Sequence, residues 1–302
     1  MDQDQSVLGA ALIASLDATL AALALEPKGD GWFETPGAPT TFNHIYGGQL
    51  LGQAIMAASA TVPDKPLHSL HAYFIRGGDP RQTLRIQVEA LRDGRNVATR
   101  RVNVFQQERL LFSLMASFHQ SLSPAAWEAP PPAMPGLEDT RTIQQWAAQA
   151  PAHLRQGAES WISRPPPVEF RLAEPPRFMG GPGPAGDNLR THWMRLPKSV
   201  GDDPALHQAL LAYCSDYLLM DMVFRYYPGF GETASFSGMS LDHSLWFHRP
   251  VRFDQWHAYS QSAWTIVGER GLARGEMRNA EGQLIATAAQ EVLVIPPRGS
   301  ET

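Results

Sequence analysis

Twice along this chain a helical run leads into a series of strands with apolar residues at every second position. A pattern of that kind leaves few folds open. In the first half a helix is expected from Gly48 to Thr61, followed by strands at His71–Arg76, Leu84–Ala90, Val97–Phe105 and Leu110–His119. The dipeptide Asp93-Gly94 marks a hairpin between two of them. In the second half a helix is expected from Pro204 to Met222, then strands at Ser244–Arg249, His257–Val267, Gly271–Arg278 and Gln283–Val294, with a turn at Asn279–Gly282. Phe74 aligns with Trp246 at an offset of 172 and Phe112 with Ile285 at 173. A near-constant offset of this size indicates an internal duplication of one α+β unit.

Between the two units, prolines and glycines cluster from Ser123 to Gly186, as in Pro130-Pro131-Pro132, Pro165-Pro166-Pro167 and Gly180-Gly181-Pro182. Proline cannot donate to a strand ladder and glycine favours turns, so this segment reads as connection rather than core, with one short helix near Thr142–Leu154. The expected organisation is an N-terminal unit at 1–122, a linker at 123–186 and a C-terminal unit at 187–302. Leu8, Leu12, Leu16, Leu20 and Leu23 recur at helical spacing near the start. Asp17 interrupts the run, so it reads as a packed helix and not a membrane span.

Composition excludes several functions. The net charge of −5 offers no basic footprint for nucleic acid. Three of the 25 basic residues are lysine, leaving 22 arginines and no means of choosing phosphate-binding ones among them. Cys214 is the single cysteine, so an intrachain disulfide and a cysteine metal cluster are both ruled out. No G-x-S-x-G nucleophile elbow occurs. The acidic start, Met-Asp-Gln-Asp, is unlike a basic targeting signal, and a cytoplasmic location is expected.

The motifs are more specific. Tyr46-Gly47-Gly48-Gln49-Leu50-Leu51-Gly52-Gln53-Ala54 and His68-Ser69-Leu70-His71-Ala72-Tyr73-Phe74-Ile75-Arg76 stand in the first half. Ser215-Asp216, Leu241-Asp242-His243-Ser244-Leu245-Trp246-Phe247-His248-Arg249-Pro250, Ala273-Arg274-Gly275-Glu276 and Ala289-Gln290-Glu291 stand in the second. In order and spacing, from about Thr41 to Val294, they resemble the type II acyl-CoA thioesterases. The resemblance implies an α+β double hotdog fold, in which each unit lays a helix on a curved antiparallel sheet. It also implies hydrolysis of acyl-CoA thioesters by a water held between an Asp, a Thr or Ser, and a Gln. Carried over, these are Asp216, Ser240 and Gln290. Ser240 stands where many members have threonine, and the hydroxyl is retained.

The chemistry is consistent with those residue types. Attack on a thioester needs a group to take the water's proton and donors for the oxyanion. Asp216 has Ala212, Tyr213, Leu219 and Met220 at helical-neighbour positions, and an apolar setting raises a carboxylate's pKa and strengthens it as a base. Taken alone, Asp216 reads as a surface carboxylate, and Ser240 and Gln290 as locally satisfied polar groups. Gly47, Gly48, Gln53 and His71 are the candidate substrate-binding residues, the glycines because they open a helix and admit close approach. Superposing Gly52-Gln53 on Ser215-Asp216 places a glutamine where the second half has its carboxylate, implying one working base per chain.

Two other readings remain open at this point. A hotdog enoyl-CoA hydratase or dehydratase would need a histidine, His71 or His243. A non-catalytic acyl-CoA-binding protein would need no base at all. His243 reads as a hydrogen-bonded structural histidine, and it cannot share a metal with His248 five residues on, since the two face opposite sides of a strand. No cofactor beyond the CoA of the substrate and no metal is expected, and the resemblance implies a dimer or tetramer of double hotdogs.

Overall fold

The computed structural model describes residues 2–36, 44–120, 123, 125–184, 188–230 and 237–296. Thr41, Gly186 and residues 231–236 lie outside them.

The first half contains α1 (Asp2–Leu23), β1 (Glu26–Gly29), β2 (Trp32–Thr35), α2 (Gly47–Ala60), β3 (Leu67–Phe74), β4 (Leu84–Asp93), β5 (Val97–Gln106) and β6 (Arg109–His119). The middle segment contributes β7 (Arg141–Thr142), α3 (Ile143–Ala148), α4 (Arg155–Ser163) and β8 (Glu169–Leu172). The second half contains β9 (Arg190–Arg195), α5 (Pro204–Ser215), α6 (Leu219–Tyr226), β10 (Ser237–Ser240), β11 (Asp242–Phe247), β12 (His257–Val267), β13 (Arg270–Asn279) and β14 (Leu284–Ile295).

One antiparallel sheet runs through both halves in the order β1-β2-β4-β5-β6-β3-β11-β14-β13-β12-β9-β8-β7, with β10 paired to β14. The halves meet where β3 pairs with β11, His71 opposite Ser244 and Leu70 opposite Leu245. On one face of the sheet α2 and α5 pack against each other. Ten of the fourteen residues of α2 are buried, because it is enclosed by the sheet, α1 and α5. Small residues permit the close crossing: a Cβ on Gly48 would lie 2.1 Å from the Tyr213 carbonyl oxygen. Asp203 caps α5 by accepting from Ala205 N at 2.9 Å, with Pro204 following. This is the α+β double hotdog arrangement.

The duplication holds, but its register differs from the expected one. Val88, Val102, Leu114 and Ala72 lie side by side across the first half, as Gln261, Gly275, Ala288 and Leu245 do across the second. The matching offsets are 173, 173, 174 and 173. Phe74 therefore corresponds to Phe247, and Phe112 to Ala286. Trp246 points to the outer face, where its ring meets His71 edge-on at 5.3 Å. Strand side chains alternate, so a slip of one residue exchanges the two faces.

The Pro/Gly-rich segment is more than a connection. Pairing of β7 with β8 and of β8 with β9 adds two strands to the sheet. Ile143, Ala147, Ala158, Val168, Phe170 and Leu172 enter the core. The proline runs at 165–167 and 175–176 bracket β8 without entering it, so the rule against proline inside strands is not broken. The expected helix near Thr142–Leu154 is α3, started by a Thr142–Gln145 capping box.

Candidate active site

Asp216 was expected within a continuous helix, but the helix ends just before it. Asp216 is the C-cap of α5, and two residues later Leu218 has φ = +65°, after which α6 begins in a new direction. A left-handed residue without glycine's freedom costs about 1–2 kcal/mol. The break turns the Asp216 side chain out of the helix packing, toward α2 and the last strand.

Three groups converge on that carboxylate. Gln290 Nε2 donates to Asp216 Oδ1 at 3.0 Å and also to Ser240 Oγ. Gly48 N donates to Asp216 Oδ2 at 3.0 Å, from the first turn of α2. Ser240 ends β10, opposite Val292 of β14, which sets its hydroxyl beside Gln290 two residues away on the same strand. Asp216 and Ser240 are half-buried and Gln290 is fully buried. Burial pushes the Asp216 carboxyl above the usual carboxylate range, against the opposing pull of neighbouring His243 and of the hydrogen bonds from Gln290, Gly48 and Ser240. Gly47 completes the enclosure, since a Cβ there would lie 2.7 Å from Asp216 Oδ2 and 2.9 Å from Phe74 Cε1.

Behind Gln290 lies a second buried layer. His243 Nδ1 is 3.0 Å from Gln290 Oε1, and its Nε2 is 2.8 Å from Ser215 Oγ. Both amide protons of Gln290 are already donated, so Oε1 must accept and Nδ1 must carry the proton. Burial lowers the His243 pKa, and Ser215 Oγ, beside Nε2, also donates to the Ala212 carbonyl at 2.8 Å. Reading His243 as structural was correct as far as it went. Its direct bond to Gln290 was not legible, although Ser215 and His243 both stand in the motifs, beside Asp216 and Asp242.

In the first half the corresponding positions are Leu70 for His243 and Ala116 for Gln290, so no equivalent network can form there. Gln53 does not take Asp216's place. It lies midway along α2, fully buried, donating to the Ala22 carbonyl at 2.9 Å, and it ties α1 to α2. Thr61 caps α2 at its carboxyl end, as Asp216 caps α5. His71 also falls away from the site. It is exposed on the outer face of the sheet, with Nδ1 3.0 Å from Ser244 Oγ. Of the four substrate-binding candidates, Gly47 and Gly48 adjoin Asp216, while Gln53 and His71 do not.

The profile of the acyl-CoA thioesterase family matches residues 167–293, and that of the acyl-CoA thioesterase N-terminal domain matches residues 35–119. Acyl-coenzyme A thioesterase 8 of Mus musculus is 33% identical over 273 residues, covering 87% of this chain and 84% of its own. The chain belongs to the type II acyl-CoA thioesterases. Acyl-CoA thioesterase 2 of Haemophilus influenzae is 32% identical over 288 residues, 90% of this chain and 95% of the relative. The crystal structure of an acyl-CoA thioesterase II from Mycobacterium marinum superposes with a TM-score of 0.74 at 31% identity, covering 94% of this chain and 99% of that one. As a type II thioesterase the chain is a thioester hydrolase, and the two family segments leave between them the stretch that carries β7, α3 and α4. No described helix of this thioesterase is long and apolar enough to cross a membrane.

Proposed function

We propose that this thioesterase cleaves acyl-CoA with a water activated by Asp216 and oriented by Ser240 and Gln290. The observation that carries the reading is the doubly donating amide of Gln290, which brings a carboxylate and a hydroxyl together beside the amino end of α2. Asp216 takes a proton as the water oxygen bonds to the thioester carbonyl carbon. The negative charge moves to the carbonyl oxygen, where the positive end of α2 favours it. As the carbonyl re-forms, the C–S bond breaks, and the proton held by Asp216 passes to the CoA thiolate, which restores the carboxylate.

The geometry disfavours a dehydratase. His243 is fully buried and has both ring nitrogens engaged, and His71 is on the opposite face of the sheet. One base per chain follows in this reading, with the first half supplying Gly47 and Gly48. The test is a thiol trap with acyl-CoAs from acetyl to palmitoyl. Release of free CoA by the wild type, abolished in Asp216→Ala, supports the proposal. Hydration of crotonyl-CoA without thiol release would overturn it, as would a chain that binds acyl-CoA and turns none over.

The expectation of a homo-oligomer is retained as part of this proposal. The sheet edges are the short strands β1 and β7, of four and two residues, which give little to pair with. The outer face exposes Tyr73 and Met115 instead, and light scattering on the purified chain distinguishes monomer, dimer and tetramer. A cytoplasmic location is likewise proposed, and cell fractionation tests it.

A further inference from the structure

A helix that stops inside a protein leaves carbonyl groups without partners, and buried ones must be satisfied by something else. Where α5 breaks, the second half's own sheet supplies the partners. Tyr259 OH donates to Ser215 O at 2.9 Å, Gln261 Nε2 to Tyr217 O at 2.9 Å, and Arg190 to Leu218 O at 2.8 Å. Arg190 also donates to Gln261 Oε1 at 3.0 Å and pairs with the buried carboxylate of Asp221 in α6. Asp221 in turn accepts from the backbone of Arg177 at 2.9 Å and of Phe178 at 3.2 Å. These three donors bond to Ser215, Tyr217 and Leu218, the residues on either side of Asp216.

The duplication shows what these side chains are for. On the matching grid the first half has Ile86 for Tyr259 and Val88 for Gln261. Gly31, whose carbonyl accepts from Val88 N at 2.8 Å, stands for Arg190, which is paired with Gln261. The half with apolar or absent side chains keeps its helix α2 continuous to Ala60 and has no carboxylate site. The half with polar ones breaks its helix at the catalytic residue. We infer that Gln261, with Arg190 and Tyr259, acts as a positioning residue, holding the chain break that aims Asp216 at Gln290 and Ser240.

This inference rests on Asp216 being the base, and the experiment separates the two. Gln261→Met keeps the size of the side chain and removes both hydrogen bonds. In the full chain it is expected to lower kcat at least tenfold with KM within threefold of wild type. It should also move the acid limb of the kcat–pH profile to lower pH as water reaches a loosened Asp216. Thr191→Val, which removes the buried contact with Ser260 in the neighbouring register, is the control and should leave kcat and the limb unchanged. Tyr259→Phe deletes one hydroxyl and should lower kcat three- to tenfold; it decides the matter on the same readings if Gln261→Met fails to fold. A folded variant with wild-type kcat and limb, a change confined to KM, or an equal loss in Thr191→Val would overturn the inference. If Asp216→Asn retains the wild-type rate, the assignment of the base fails instead.

Discussion

His243 Nδ1 lies 3.0 Å from Gln290 Oε1, and that contact determines which end of the amide faces Asp216. Without it, Gln290 could turn over and present an acceptor to a carboxylate. His243→Phe is therefore expected to reduce kcat by about ten- to a hundredfold, the scale of one lost buried hydrogen bond of roughly 1–3 kcal/mol. Steady-state kinetics of the folded variant give the check, and a kcat within twofold of wild type would refute the role.

The carboxylate itself should matter more. Replacing a general base commonly costs about 10²–10⁴ in rate. Asp216→Asn should fall in that range with KM little changed, measured as CoA release under saturating acyl-CoA.

Burial raises the Asp216 pKa, and this sets the sign of the pH dependence. The base works when ionised, so kcat should decline as pH falls through a midpoint above the ordinary carboxylate value of about 3.9. His243 titrates below its usual value because it too is buried, so any loss of activity from that ring falls below the ordinary histidine pKa of about 6.5. An acid limb that survives in His243→Phe assigns it to the carboxylate.

Ser240 provides a hydroxyl where threonine is frequent among relatives the motifs resemble. Ser240→Thr should retain most of the activity. Ser240→Ala, which leaves one Gln290 proton without an acceptor, should lose about ten- to a hundredfold. Equal activity in the two variants would remove Ser240 from the mechanism.

Gln53 and His71 should behave unlike any of these. Gln53→Leu removes one of the two side-chain donors to the buried Ala22 carbonyl, leaving Thr35 Oγ1 at 2.9 Å, and should lower the melting temperature by a few degrees, on a scale of about 2–4 °C per kcal/mol, while the folded enzyme keeps its kcat. His71→Ala, on the outer face, should leave kcat/KM within twofold.

The repeated α+β unit was legible because strands announce themselves by alternation and hairpins by Asp93-Gly94 and Asn279–Gly282. Which face each residue takes was not, since periodicity fixes phase only to within the uncertainty of an alignment, and Phe74 was matched one residue away from Phe247. β8 escaped notice because four residues between proline runs carry too little alternation. β9 escaped because five of its six residues are buried: its outer side is covered, and Trp193 Nε1 donates to Pro135 O. Asp216, Ser240 and Gln290 were legible as a family likeness, and the structure brings them together. The break after Ser215 had no local mark at all. Asp216-Tyr217-Leu218 contains neither glycine nor proline, and what satisfies the bend sits on β9 and β12.

The seam between β3 and β11 has a consequence for symmetry. Two identical units pairing edge to edge would carry every substitution twice, so a helix broken at one site would be broken at both. With both units in one chain, Leu70 and His243, Ala116 and Gln290, or Val88 and Gln261 are free to differ. One half could then keep a continuous helix and a dry sheet while the other surrendered both to hold a charge.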